Sequence, residues 1–521
     1  MKPISLIRGF VTVGVWTLLS RILGFVRDIF IAAFLGAGPV AEAFLIAFSL
    51  PNMFRRFFAE GAFNMAFIPI FSKKLENDDG AGEFARDAFT GMTFLLTGVT
   101  ALGVVFMPGL VWLMASGFAE DNRFDLATQY GRIAFPYILF ISLSALISGV
   151  LNATGRFIAA AAAPVLLNMI FIGAIILAVA SGARDAAMPE RVIGTTLAWA
   201  VPVGGIAQLA LVWFAARRAG YGFWPRRPRW TPDLKRLAII AAPAALAGGV
   251  VQINLLIGRQ VASHFEGAVA WLSYADRLYQ LPLGVVGIAI GVVLLPDLSR
   301  RLGAGDTAGG REAFNRATEL TLALTIPAAV ALVAIPVPLV SVLFERGAFT
   351  TDDTAATALA VAVYGLGLPA FVLQKVLQPL YFAREDTRRP FYFAVVAMLI
   401  NAGLAVGLAS VIGYLGAAFG TTIAAWAMVV LLWQGSRGMG DAAVLDQRFR
   451  RRLWRIALAS AAMGVVIWWL AAAMTLLLGE ATIRYPALAL LIAVGIVTYF
   501  GVGQLLGAFH ISEFRSAMRR R

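Results

Sequence analysis

Four arginines stand within long apolar segments of this 521-residue sequence, where a positive charge is costly. They are Arg21 and Arg27 in the first segment, Arg55 in the second and Arg277 in the eighth. On insertion scales an arginine at the centre of a membrane helix costs about 2.5–3.5 kcal/mol. Because a guanidinium group pairs bidentately with phosphate oxygens, four of them predict a cavity for a multiply charged oxyanion such as pyrophosphate.

Other charged residues in the same segments have structural explanations as well as functional ones. Arg56 precedes Glu60 by one helical turn, so the two can form a salt bridge. Arg132, Arg259 and Lys375 lie nearer segment ends, where a long side chain reaches the interface. The candidates for a supporting or gating role are Asp28, Glu42, Arg56, Glu60, Arg259 and Asp276.

Two of these acids follow or precede a candidate arginine directly, as Arg27-Asp28 and Asp276-Arg277. Neighbouring side chains on a helix diverge by about 100°, which predicts no direct pairing within either dipeptide. The same reasoning leaves pairing across helices open.

Prolines and polar residues mark further positions inside the apolar segments. Four of the prolines inside these segments should bend or break their helices; they are Pro51, Pro136, Pro282 and Pro369. Pro51 and Pro282 are hinge candidates because each shares a segment with a candidate arginine. One candidate cation site consists of Asn254, Asn401, Thr421 and Thr422, for which interhelical hydrogen bonding is the simpler explanation.

The composition places these residues in a membrane protein. Hydrophobic residues make up 60% of the chain and charged residues 14%, against about 25% charged residues in soluble proteins. The absence of cysteine excludes disulfides and thiolate metal sites. The two histidines, His264 and His510, are far apart in the sequence and predict no metal site. We expect no cofactor.

The apolar segments predict an all-α polytopic fold with about fourteen transmembrane helices. They lie near residues 10–35, 42–72, 86–115, 124–151, 157–181, 190–217, 233–263, 270–299, 310–344, 354–382, 389–412, 414–437, 452–478 and 483–508. Alternate loops hold 30 and 5 Lys and Arg residues, which predicts cytoplasmic termini. These basic clusters adjoin helix ends and suit anionic membrane lipids, so nucleic-acid binding is not needed to explain the net charge of +14.

The chain also repeats itself at offsets of 227 to 232 residues. Ile68-Pro69-Ile70-Phe71-Ser72-Lys73-Lys74-Leu75 recurs as Leu295-Pro296-Asp297-Leu298-Ser299-Arg300-Arg301-Leu302, and Pro51, Arg27 and Gly117 have counterparts in Pro282, Arg259 and Gly347. The repeat predicts two homologous six-helix lobes of parallel topology, residues 1–218 and 233–438. Two further helices, within residues 452–508, lie outside it. In transporters with such repeats the substrate site lies at the repeat interface.

Several motifs resemble those of the MurJ (MviN) family of bacterial lipid II flippases. The first is Ser20-Arg21-Ile22-Leu23-Gly24-Phe25-Val26-Arg27-Asp28; the second is Leu50-Pro51-Asn52-Met53-Phe54-Arg55-Arg56, followed by Phe58-Ala59-Glu60-Gly61-Ala62-Phe63. The third is Tyr274-Ala275-Asp276-Arg277-Leu278, with Leu281-Pro282 and Leu294-Leu295-Pro296. The resemblance extends from about residue 5 to residue 440 and continues through Phe135-Pro136-Tyr137-Ile138-Leu139 and Leu151-Asn152.

The resemblance implies a transporter in the bacterial inner membrane that moves lipid II from the cytoplasmic to the periplasmic leaflet by alternating access. It implies that Arg21, Arg27, Arg55 and Arg277 line the cavity, and that the last two helices form a groove for the lipid tail. Glu42 matches an acidic position of the family. Gln280 departs from the family pattern, because some members have an acid there. Cell-wall synthesis proteins are candidate partners.

The sequence contains no nucleotide motif, so membrane potential or a monovalent cation is the expected driver. The resemblance also places the chain in the superfamily of exporters of drugs, oligosaccharidyl lipids and polysaccharides, to which the MurJ family belongs. Two alternative functions remain within that superfamily. One is a flippase for another polyprenyl-linked glycan, and the other is a drug/cation antiporter, which the cationic cavity disfavours. An enzyme acting on polyprenyl phosphates would need a nucleophile, a general base or a metal site, and the sequence has no histidine cluster and no paired loop carboxylates at a suitable spacing. A non-transporting scaffold would leave the buried arginines unexplained.

Overall fold

A computed structural model describes residues 6–55, 62–77, 79–440 and 443–508. Within these ranges the chain forms nineteen α-helices and no β-strand, so the predicted all-α class is confirmed. The helices fall into two compact units. Unit 1 comprises residues 1–270 and 346–349, and unit 2 comprises residues 271–345 and 350–521.

The helices of unit 1 are α1 (Leu6–Leu35), α2 (Pro39–Arg55), α3 (Ala62–Glu76), α4 (Ala81–Val105), α5 (Met107–Met114), α6 (Arg123–Ala134), α7 (Tyr137–Ala153), α8 (Ile158–Ala180), α9 (Pro189–Arg218) and α10 (Pro232–Ala262). Helix α11 (Ala268–Gly303) starts in unit 1 and continues in unit 2. Unit 2 also holds α12 (Thr307–Ala334), α13 (Pro336–Phe344), α14 (Thr351–Phe382), α15 (Arg388–Ile412), α16 (Leu415–Ser436), α17 (Gln447–Ala473), α18 (Thr475–Gly479) and α19 (Arg484–Leu505).

These helices follow the apolar segments of the sequence. Within the described residues ten segments are long and apolar enough to cross a membrane, which confirms a multi-pass chain; the exact number of crossings stays a prediction. The helix breaks at Pro136 as predicted, between α6 and α7. Helices α2, α11 and α14 continue through Pro51, Pro282 and Pro369, so these prolines do not break their helices.

Helix α9 forms the centre of unit 1, where it packs against α2, α6, α7 and α8. Its buried Gln208 side chain accepts a hydrogen bond from the Tyr137 hydroxyl on α7 (3.2 Å) and donates one to the Ala163 carbonyl on α8 (2.8 Å). A buried amide must be satisfied in this way, because an unpaired polar group in an apolar interior costs about 1–3 kcal/mol. Gln208 thereby fixes three helices relative to one another.

Two close glycine contacts within unit 1 involve matching positions of the repeat. The backbone N–H of Gly117 donates to Ser263 Oγ (3.1 Å), and a Cβ atom on Gly117 would lie 2.5 Å from the Ser263 carbonyl carbon. The Ala348 N–H donates to the Ala33 carbonyl (2.9 Å), where a Cβ atom on Gly347 would lie 2.1 Å from the same oxygen. Because glycine has no side chain, the backbone at Gly117 can approach the end of α10, and the backbone at Gly347 can approach the end of α1.

Helices α17 and α19 belong to unit 2, where they pack on each other and on α12 and α13. Ile456, Ile467 and Leu491 are buried in their shared apolar core. Near the start of α17, Arg452 pairs with Glu319 of α12. The two additional helices therefore belong to the same compact unit as α12 to α16.

The boundary between the two units does not coincide with the predicted boundary between the two lobes. Helix α10 falls in unit 1, whereas the duplication assigns the corresponding segment to the second lobe. Units are defined by contacts in one conformation, and lobes are defined by internal homology. The lobe boundaries at residues 218 and 233 therefore stay a prediction.

Candidate functional site

Arg27 is the most completely described arginine of the predicted cavity. It lies on α1 and is 7% exposed. Its Nε and Nη2 donate to Asp28 Oδ1 (3.0 and 2.7 Å), and its Nη1 donates to Asn168 Oδ1 on α8 (3.0 Å). The guanidinium carbon lies 5.5 Å and 5.9 Å from the ring centroids of Phe171 and Phe48, within cation–π range. These contacts fix the orientation of the planar Arg27 guanidinium group.

The direct pairing of Arg27 with Asp28 corrects the prediction that such neighbours do not pair. The angular rule describes the directions in which the two Cβ atoms leave the helix. It does not restrict the far end of an arginine side chain, whose flexible stem lets the guanidinium bend back over the next residue. Burial of both side chains makes this geometry favourable, because an unpaired ion inside the protein would be costly.

The sequence reasoning missed Asn168 as a partner of Arg27. Besides accepting from Arg27, it donates from Nδ2 to the Ser20 carbonyl (3.0 Å). Gly24 lies between these contacts on the same face of α1, and a Cβ atom there would lie 3.5 Å from Asn168 Nδ2. A single amide on an otherwise apolar helix was the available signal, because a polar side chain in such a helix needs a partner.

The other two arginines of the predicted cavity that lie in unit 1 are more accessible to solvent than Arg27. Arg21 is exposed and Arg55, at the end of α2, is half-buried. Six residues of helix separate Arg21 from Arg27, which places their side chains roughly 120° apart around α1. The burial of Arg27 against α8 and the exposure of Arg21 follow from that angle. Arg21 makes no ion pair with any carboxylate that the structure describes.

Arg277 lies in unit 2, on α11, and is half-buried. One turn later on the same helix, the Gln280 amide donates a hydrogen bond to the Asp276 carboxylate. A carboxylate at position 280 would instead place two like charges at i, i+4, which is destabilising. The Gln280 amide thus supplies Asp276 with a hydrogen-bond donor that an ionised carboxylate at this position could not supply.

Glu42 is buried at the start of α2, with no exposed surface, and it connects three elements of unit 1. Its Oε2 accepts from Arg123 Nη1 at the start of α6 (2.8 Å), and its Oε1 accepts from the Val269 N–H at the start of α11 (3.0 Å). Arg123 also pairs with Asp121 (2.6 Å) and lies 4.4 Å from the Phe118 ring centroid. Glu42 thus holds the first turn of the helix that carries Arg277.

Arg123 was not a candidate residue in the sequence analysis, so its role as the partner of Glu42 was missed. The two residues are 81 positions apart, and no local pattern connects them. Burial by itself would raise the pKa of the loop residue Asp121, but hydrogen bonds and the charge of Arg123 outweigh that effect and lower it. Asp121 therefore stays ionised beside Arg123 near neutral pH.

The remaining predicted residues lie away from the contacts described above or outside the described residues. Arg259 is half-buried on α10. Arg56, Glu60 and His510 lie outside the described residues. His264 lies in the turn between α10 and α11, 3.4 Å from Ser116 Oγ. Among the described residues no cluster of His, Cys, Asp and Glu has the geometry of a metal site.

The four residues of the candidate cation site do not all fall in one unit. Asn254 belongs to unit 1, whereas Asn401, Thr421 and Thr422 belong to unit 2. The hydroxyls of Thr421 and Thr422 donate to the carbonyls of Ala417 (3.0 Å) and Val363 (3.1 Å). The Thr422 bond joins α16 to α14, whereas the Thr421 bond lies within α16; the cation site itself stays a prediction.

Comparison with known proteins decides the family. The model of the family "Lipid II flippase MurJ" matches residues 31–487. A probable lipid II flippase MurJ of Rhizobium meliloti is 45% identical over 99% of this chain and 97% of that protein, and one of Rhizobium tropici is 43% identical with the same coverage. This chain belongs to the MurJ family.

A solved MurJ structure agrees with that assignment. The lipid II flippase MurJ in an inward closed conformation superposes with a TM-score of 0.77 and 25% identity, covering 95% of this chain and 98% of that one. Membership confirms the family that the sequence motifs indicated. MurJ proteins are multi-pass transporters of the bacterial inner membrane and not enzymes, which agrees with the apolar helices of both units.

The buried pair of Glu42 and Arg123 leads to a stability prediction. Removing one partner of a buried ion pair leaves the other charge uncompensated and costs about 3–5 kcal/mol. We expect Glu42→Gln and Arg123→Gln each to lower the thermal unfolding temperature of the purified protein in detergent. The double variant should lose less than the sum of the two single variants. Arg191→Gln, at an exposed site, is the matched control and should leave the temperature unchanged. Strictly additive losses would show that the pair has no coupling.

Proposed function

We propose that this chain translocates lipid II, the undecaprenyl-pyrophosphate carrier of the peptidoglycan precursor, from the cytoplasmic to the periplasmic leaflet. The observation that carries the proposal is the buried, oriented guanidinium of Arg27 within a chain of the MurJ family. A diphosphate is the part of such a lipid that needs cationic hydrogen-bond donors. Neither glycan nor polyprenyl tail would require arginines in an apolar helix.

The hydrogen bonds of Arg27 support a role as a diphosphate ligand. A guanidinium has five N–H donors, and contacts within the described residues use three of them. Two N–H groups therefore remain for a phosphate oxygen, while Asp28 balances the charge in the absence of substrate. An incoming diphosphate would add its own negative charge, which Arg21, Arg55 and Arg277 are proposed to neutralise.

Alternating access is the proposed mode of transport, with both termini in the cytoplasm. The charge difference between alternate loops supports this orientation. In this scheme the diphosphate enters the arginine-lined cavity from the cytoplasmic side while the tail stays in the lipid. Neutralising the arginines lowers the cost of closing the cavity over them. Membrane potential or a monovalent cation is the proposed driver, and cell-wall synthesis proteins remain proposed partners.

An apolar pocket in unit 2 supports a groove for the polyprenyl tail. Its volume is about 450 Å³. It lies between α12, α14 and α17, and its lining residues are Ile326, Ala329, Val330, Val333, Ala334, Leu366, Pro369, Ala461, Gly464, Val465 and Trp468. All of these side chains are apolar or present an apolar surface, which suits an isoprenoid chain. Of the two additional helices, α17 lines the pocket and α19 packs against α17, so we propose that α17 provides this surface and α19 supports it.

Complementation tests the arginine cavity. In cells depleted of their own lipid II flippase, the wild-type chain should restore lipid II exposure on the periplasmic face. Arg21→Ala, Arg27→Ala, Arg55→Ala and Arg277→Ala should insert normally yet fail, because each lost charged hydrogen bond costs about 1.5–3 kcal/mol, roughly 10- to 100-fold in binding. Arg132→Ala removes an exposed arginine near a helix end and is the matched control.

The outcomes of that experiment separate the alternatives. If the wild-type chain inserts but never restores exposure, the substrate is another lipid-linked glycan or the chain is not a flippase. If the four arginine variants work as well as Arg132→Ala, the arginines are structural and the diphosphate cavity is wrong.

The groove gives a separate prediction. Ala461 is exposed on α17 and lines the pocket, so Ala461→Phe should occupy part of the proposed tail site without disturbing the core. Excluding about two methylene groups costs about 1.6 kcal/mol, roughly a tenfold loss of lipid II transport. Leu458→Phe changes an exposed residue one turn away that does not line the pocket. Equal transport by the two variants, measured in cells at matched expression, would contradict a tail site here.

A further inference from the structure

The segment between α9 and α10, residues 219–231, has an unusual composition that the transport mechanism does not use. It contains the sequence Trp224-Pro225-Arg226-Arg227-Pro228-Arg229-Trp230 and is not helical. Trp224 is 70% exposed and Trp230 is 72% exposed. We call residues 219–231 the linker. Two large aromatic side chains that are this exposed, with arginines between them, indicate a surface that binds another molecule or the membrane.

The linker is held on unit 1 at two points. Phe223 is buried, its ring centroid lies 5.4 Å from that of Phe89 on α4, and its carbonyl accepts from Trp213 Nε1 on α9 (3.0 Å). Arg226 donates from Nη2 and Nε to Asp87 Oδ1 on α4 (2.6 and 3.0 Å). These anchors use the inward side chains of the linker. Trp224 packs edge-to-face against Trp213 of α9, with ring centroids 5.7 Å apart, yet it stays largely exposed, as do Trp230 and the remaining arginines of the linker.

The exposed side of the linker is strongly basic. Its flanks and tip carry six exposed cations: Arg217, Arg218, Arg227, Arg229, Lys235 and Arg236. The sequence from residue 192 to residue 232 contains no Asp or Glu. Nearby acids are already engaged: Asp87 pairs with Arg226, and Asp233 pairs with Lys74 (3.0 Å). The hydrogen bonds to Asp233 and Asp79 raise the pKa of Lys74, so that lysine stays charged as well.

We propose that the linker binds the headgroups of acidic glycerophospholipids, with Trp224 and Trp230 inserted at the level of the interface. Four to eight Lys and Arg residues directly beside a transmembrane helix attract anionic headgroups, and tryptophan concentrates at the same depth. Helices α9 and α10 bracket the linker, and α9 is long and apolar enough to span the membrane. The linker therefore lies where a helix leaves the bilayer, which favours a lipid over a soluble acidic partner.

The position of the linker gives this contact a consequence. It joins the two predicted repeats, and it is fixed to α4 through Asp87. Headgroups bound along it would hold the cytoplasmic ends of α9 and α10 at a set depth. This consequence depends on the proposed orientation, but the binding itself does not depend on lipid II transport.

Quenching of a single dye by spin-labelled lipids tests the proposal. The chain has no cysteine, so Pro228→Cys gives one labelling site in the linker. The full-length labelled protein is reconstituted in phosphatidylcholine vesicles that contain spin-labelled phosphatidylglycerol or spin-labelled phosphatidylcholine. At low salt the phosphatidylglycerol should quench several-fold more strongly, and added salt should remove the difference. Thr482→Cys, exposed in the turn before α19, is the control site, where both lipids should quench equally.

A matched pair of charge variants decides whether the linker itself is responsible. Each arginine near an anionic surface contributes about fivefold to association, so Arg227→Gln/Arg229→Gln should remove most of the several-fold preference for phosphatidylglycerol. Arg450→Gln/Arg451→Gln removes the same charge from exposed positions on α17 and should leave it unchanged. Equal quenching by both lipids in the unaltered linker overturns the proposal, as does selectivity that survives Arg227→Gln/Arg229→Gln. A dye response to soluble polyglutamate that exceeds the response to the acidic lipid would favour a protein partner instead.

Discussion

A charge inside an apolar helical protein must be paired, and this requirement fixes where the helices lie. Arg27 pairs with Asp28 and Asn168, which joins α1 to α8. Glu42 pairs with Arg123, which joins α2 to α6, and it also holds the start of α11. Arg452 pairs with Glu319, which joins α17 to α12. Apolar side chains pack these helices, but many packings are nearly equivalent, whereas each buried ion accepts few partners.

The same requirement separates structural cations from those available to a ligand. Arg123 and Arg452 are buried against carboxylates on other helices. Arg27 is buried too, but its carboxylate is its own neighbour, and two of its N–H groups remain beyond its contacts with described residues. Arg21 is exposed on a different face of α1. The arginines therefore range from fully paired to solvent-accessible. A cavity for a diphosphate requires such a range, because an arginine that binds the ligand must not become an unpaired buried charge when the ligand leaves.

Much of the fold could be predicted from the sequence, because membrane helices are recognisable as long apolar runs. The all-α class, the break at Pro136 and the MurJ family are confirmed. The prediction that Arg27 and Asp28 do not pair was wrong, because an angular rule for Cβ atoms says little about long side chains. Asn168 stood out as the single amide of an apolar helix and was overlooked, but its partner, 141 residues away, could not be read from one sequence; the same holds for Arg123 and its partner 81 residues away. The lobe boundaries, the cation site and the convergence of the four arginines stay predictions.

Transport by the purified protein is the most direct test of the central claim. The full chain would be reconstituted in vesicles that carry lipid II, and the lipid accessible to a membrane-impermeant headgroup probe would be followed over time. The account predicts that the wild-type protein makes lipid II from the inner leaflet accessible, and that Arg27→Ala reconstitutes equally well but does not. Accessible lipid II that rises no faster with the wild-type protein than in empty vesicles, at confirmed insertion and with an imposed potential, would contradict it.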